Sequence, residues 1–125
     1  MADELKLIIK DYQKSILRLD EALKKPKSVL IRDASIKRFE LSFELAWKAL
    51  KEYLKDQGIV CSSPKSCLSE AFRAEIISDS PLWLDMVEDR NFAVHIYSEK
   101  FADALFKRIK RYLNLFQELY IGLSK

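Results

Sequence analysis

A chain of 125 residues, 49% hydrophobic and 33% charged, is enough for one domain with its own core. Two glycines and three prolines leave little turn material for a many-stranded β protein, and a net charge of +3 neither demands nor excludes a nucleic-acid partner. No apolar run approaches membrane-spanning length and the first residues lack the apolar core of a signal peptide, so a cytoplasmic protein with no membrane association is expected.

Leu5, Ile9, Tyr12, Ile16, Leu19 and Leu23 recur at alternating steps of four and three, which predicts one long amphipathic helix ending near Lys24-Lys25-Pro26. A second helix carries Ile36, Phe39, Phe43, Ala46, Leu50 and Tyr53 at the same rhythm. Leu45, Trp47 and Leu54 widen its apolar face, and Gly58 offers a left-handed stop. Glu40 and Glu44 on this helix are one turn apart, as acid–base or metal-binding carboxylates would be. No Glu-x-x-His companion completes a bundle metal site, and Glu44 with Lys48 makes a favourable i,i+4 pair, so a structural role is expected. Cys61 and Cys67 have neither a second cysteine pair nor a histidine cluster to complete a zinc site, and read as reduced, unpaired thiols. No metal and no cofactor is expected.

Ser63-Pro64 starts a third, shorter helix, and Ser80-Pro81 starts a fourth segment through about Arg90, with Trp83, Met86 and Val87 as core. The last helix begins at the Ser98 cap and shows Phe101, Leu105, Ile109, Tyr112, Phe116, Leu119 and Leu123 on one stripe. Lys107, Arg108, Lys110 and Arg111 form a basic face on it, solvated by default but able to steer RNA. The expected fold is a single all-α domain over residues 1–125, an up-and-down four-helix bundle with an additional short helix.

The chemistry concentrates in Arg90-Asn91-Phe92-Ala93-Val94-His95-Ile96-Tyr97, which holds the only histidine of the chain in an Arg-x4-His-x-Tyr pattern. Histidine takes and gives protons near neutral pH, and a planar guanidinium suits phosphate. Read blandly, His95 is a hydrogen-bonded histidine at a helix junction, Arg90 a cation complementing a helix dipole, and Tyr97 a core aromatic. On one unbroken helix Arg90, His95 and Tyr97 point in different directions; a kink or loop near 91–97, or a second subunit, would let them converge. No Gly-rich phosphate loop or nucleotidyltransferase signature is present, so the chain is not expected to transfer nucleotides itself.

The run Arg38-Phe39-Glu40-Leu41-Ser42-Phe43-Glu44-Leu45-Ala46-Trp47-Lys48-Ala49-Leu50-Lys51 resembles the second-helix signature of the nucleotidyltransferase substrate-binding family, and Trp83, Met86 and the Arg90 to Tyr97 run resemble its later half. That family belongs to the HEPN superfamily of small helical bundles, which includes HepT-type toxins. The resemblance implies a homodimer encoded beside an MNT-type nucleotidyltransferase. It also implies a metal-independent ribonuclease motif in which Arg90 and His95 are catalytic and Asn91 supports them, with RNA as substrate and Tyr97 as the acceptor of AMP from the partner. The alternative carried by the family's name is a non-catalytic subunit that presents nucleotide or substrate to the nucleotidyltransferase.

Overall fold

The computed structural model describes residues 2–78, 81–95 and 98–125. Its elements are α1 (Asp3–Leu23), α2 (Val29–Asp56), α3 (Pro64–Arg73), α4 (Pro81–His95) and α5 (Glu99–Leu123), with no strand among the described residues. The expected caps at Ser63 and Ser98 are in place: Ser63 Oγ accepts from the Ser66 amide and Ser98 Oγ from the Phe101 amide. Ser28 caps α2 in the same way through the Ile31 amide. Gly58, at φ +83°, follows the end of α2 where the stop was expected. The expected cap Ser80 lies outside the described residues.

Cross-helix contacts fix the directions. Arg38 reaches the Arg18 carbonyl and Ser42 the Ser15 hydroxyl, so α1 and α2 run antiparallel. Arg32 meets Asp103 and Phe39 stacks on Tyr112, so α2 and α5 run parallel. Arg108 binds Asp89 and Phe92 packs on Phe101, so α4 opposes α5. The result is an up-and-down bundle of α1, α2, α4 and α5, with the short α3 packed on α2 and α4.

The predicted stripes make the core. Tyr12, Phe39, Phe43, Leu50, Leu105, Ile109, Tyr112, Phe116 and Leu119 are all nearly inaccessible, and Trp83, Met86 and Val87 from α4 join them. Tyr12 donates its hydroxyl to the Phe116 carbonyl at 2.6 Å, and its burial pushes that hydroxyl well above its ordinary titration range. The last turn of α5 lies so close to the loop after α3 that a Cβ on Gly122 would stand 2.6 Å from the Ile76 carbonyl oxygen. Among the described residues no helix is long and apolar enough to cross a membrane.

Two expectations need correction. Cys61 and Cys67 are not free thiols but a disulfide, with Cα atoms 5.1 Å apart. The chain turns into α3 at Ser63, which brings Cys61 back over the first turn of the helix, where Cys67 faces inward; both are buried. The fourth segment does not end near Arg90 either. Asn91-Phe92-Ala93-Val94 contains no glycine or proline to stop it, and α4 continues to His95.

Candidate functional site

Helix α4 is held on two sides by consecutive residues. Asp89 accepts two bonds from Arg108 at 2.8 Å and one from the Tyr112 hydroxyl at 2.5 Å, anchoring α4 to α5. Burial, followed by the bond to the Asp89 carboxylate, pushes the Tyr112 hydroxyl up, and that same carboxylate raises Arg108. Arg90 faces the other way: its Nη2 donates to Glu44 Oε2 of α2 at 2.5 Å, and its guanidinium lies over the Phe43 ring, 5.3 Å from the centroid. Its Nη1 donates to Asn91 Oδ1 at 3.2 Å. Glu44 also meets Lys48 at 3.4 Å, so the pair expected from sequence exists, but its second partner is the arginine of the motif.

Arg90 and Val94 line a groove of about 390 Å³ between α4 and α2, with Lys37, Arg38, Glu40, Leu41 and Glu44 opposite. His95 is exposed at the last position of α4 and makes no hydrogen bond among the described residues. The helix is unbroken from Arg90 to His95, so the two side chains leave it about 140° apart and about 7.5 Å apart along its axis. No kink or loop in residues 91–95 brings them together within one chain. Tyr97 lies outside the described residues.

Sequence reasoning missed two anchors. Arg32 is almost fully buried on α2, where its Nη1 reaches Glu99 at 2.6 Å and Asp103 at 3.1 Å in the first turns of α5, and its Nε reaches Asp33. The Glu99, Asp103 and Asp33 carboxylates hold the guanidinium firmly charged, and Arg32 in turn holds Asp103 below its usual carboxylate range. The signal was available: Arg32 stands one helical turn before Ile36 on the core stripe, and an inward charge requires partners. The second anchor, Asp89, removes Arg108 from the basic run on α5, leaving Lys107, Lys110 and Arg111 exposed.

The family model described as nucleotidyltransferase substrate binding protein like matches residues 7–125. The chain belongs to this family. A crystal structure of a Thermus thermophilus protein is 36% identical to it, covers 91% of this chain and 99% of its own, and superposes with a TM-score of 0.85. A Haemophilus influenzae structure, described as revealing the fold of a substrate binding domain of a nucleotidyltransferase, covers 98% of both chains at 22% identity with a TM-score of 0.70, which establishes the shared fold. Among curated protein sequences none matches. In this family member Arg90 lines the groove between α4 and α2, and His95 ends the exposed edge of α4.

Proposed function

We propose that the chain is a HepT-like HEPN ribonuclease, active without metal, and that an MNT-type nucleotidyltransferase silences it by attaching AMP to Tyr97. The observation that carries this reading is an exposed His95 on the same helix as Arg90, which lines an open groove, in a member of a nucleotidyltransferase substrate-binding family. A neutral His95 takes the proton from an RNA 2′-hydroxyl, whose oxygen then forms a bond to the adjacent phosphorus while the bond to the 5′-oxygen breaks. The departing 5′-oxygen takes a proton from an imidazolium. The chain has one histidine, so the second imidazole comes from a second copy across a two-fold interface near residues 90–97. Arg90 neutralises charge gathering on the phosphoryl oxygens. Its bonds to Glu44 and Asn91 occupy only part of its five-donor fork, so the guanidinium is oriented without being exhausted. An AMP on Tyr97, two residues from His95, adds a negative charge that pairs with Arg90, repels incoming phosphate and favours imidazolium over the neutral base. We place the work in the cytoplasm, where RNA, ATP and the partner meet; the Cys61–Cys67 disulfide, of a kind rare in reducing cytosol, weighs against that placement.

A second reading has its own observation. Arg90 and His95 diverge on an unbroken α4 and Arg90 is already paired, as suits a non-catalytic subunit that presents substrate to the nucleotidyltransferase. Incubation with the cognate nucleotidyltransferase, ATP and magnesium, followed by peptide mass spectrometry, separates the two. The expected result is an AMP-sized increase on the peptide containing Tyr97 that disappears in Tyr97→Phe. Labelling that persists in Tyr97→Phe, or its absence with an active partner, overturns the modification and favours the presenting role.

A further inference from the structure

We propose that the outer face of α1 is a track for the phosphate backbone of single-stranded RNA, leading to the groove that holds Arg90. The proposal rests on the ribonuclease reading for its choice of polyanion. Lys6, Lys10, Lys14 and Arg18 follow one another at four-residue steps and all four are exposed. Each step rises about 6 Å along the helix and turns by about 40°, so the four charges form one gently winding row about 18 Å long. That rise is comparable to the separation of neighbouring phosphates along a nucleic-acid strand.

The row is electrostatically open. Lys24, Lys48 and Arg73 each have a carboxylate partner on their own helix, and Arg108 is bound by Asp89. None of the four row cations has an ion-pair partner among the described residues. Leu7 and Leu17, 61% and 60% exposed, stand in the same face and offer apolar flanks for the faces of bases. Asp3 and Glu4 weaken the potential at the start of the row, and exposed Asp11 and Glu21 lower it beside Lys14 and beyond Arg18.

The row also has a destination. Arg38 of α2 donates to the Arg18 main-chain carbonyl at 2.6 Å, a neutral acceptor that leaves its positive charge uncompensated. The same Arg38 lines the groove with Lys37 and Arg90. Within the groove Lys37 is paired with Glu40 and Arg90 with Glu44, so Arg38 is the cation that links the α1 row to the arginine of the motif. The basic run on α5 is the competing route, but Asp89 withdraws Arg108 from it.

The test uses a fluorescein-labelled oligouridylate 12-mer, with anisotropy measured over a salt series on the full chain. Each backbone contact to a single strand contributes about 0.7 to the slope of log affinity against log salt, so Lys10→Gln/Lys14→Gln is expected to lower that slope by about 1.4. Lys10→Arg/Lys14→Arg is expected to retain it, and Lys107→Gln/Lys110→Gln to leave it unchanged. Cleavage of a dinucleotide, too short to span from Arg90 to α1, is expected to be equal in wild type and Lys10→Gln/Lys14→Gln, whose circular dichroism and melting temperature serve as the folding check. An unchanged slope in Lys10→Gln/Lys14→Gln, loss in the α5 variant instead, or capture of phosphatidylserine vesicles without RNA binding overturns the track. RNA bound through the row by a chain that cleaves nothing leaves the track standing and removes the catalytic reading.

Discussion

Arg90 and His95 share a motif but not an environment. His95 stands exposed at the end of α4 with no hydrogen bond among the described residues, whereas Arg90 bridges α4 to Glu44 and covers the Phe43 ring. From sequence, both lie outside the apolar stripes and neither should matter for stability; the structure separates them. His95→Ala is expected to leave the melting temperature within a degree or so of wild type. Arg90→Ala removes a partly buried ion pair and a cation–π contact, costing about 1–2 kcal/mol and lowering the melting temperature by several degrees. Thermal scans of the two variants check this, and equal melting temperatures would show that the Glu44 bridge contributes nothing to the fold. The bridge was hidden because the sequence offered Glu44 a nearer partner, Lys48, and pairs across 46 positions leave no periodic trace.

At the level of elements, the stripes and caps were legible because each rests on local physics. Leu5 through Leu23 repeat at helical spacing, Ser63 and Ser98 present hydroxyls to free amides, and Gly58 takes a positive φ. The end of α4 was not legible: nothing in Asn91 to His95 breaks a helix, and propensity alone does not say where unbroken helix stops. The disulfide was missed because a spacing of six has no meaning until the turn at Ser63 places Cys61 against α3. Closing a loop this short removes chain entropy from the unfolded state worth about 2 kcal/mol. Cys61→Ser/Cys67→Ser is accordingly expected to melt several degrees lower than wild type, and wild type in excess dithiothreitol to approach the variant. A wild type whose midpoint is indifferent to reductant, with two thiols titratable after denaturation without reductant, would contradict the bridge.

For the whole molecule, the unbroken α4 transfers the question of convergence from the chain to its assembly. One histidine per chain and about 140° between Arg90 and His95 make a composite site the simplest route to acid–base chemistry. Sedimentation equilibrium at micromolar concentration is expected to return twice the 14.6 kDa chain mass, with Val94→Glu shifting the balance toward the monomer. A single species of chain mass throughout would leave the second imidazole without a source. Bundle and family were both readable before the structure, from residue spacing and from the α2 and α4 signatures; the site was readable only as a set of residue types, because its geometry depends on where α4 stops and what its neighbours hold. The most direct measurement is cleavage of RNA by the purified chain in excess EDTA, wild type beside His95→Ala. The expected outcome is metal-independent cleavage by wild type, falling about 10²- to 10⁴-fold in the folded variant. No cleavage by the folded wild-type chain, or equal cleavage by His95→Ala, would contradict the catalytic assignment of α4.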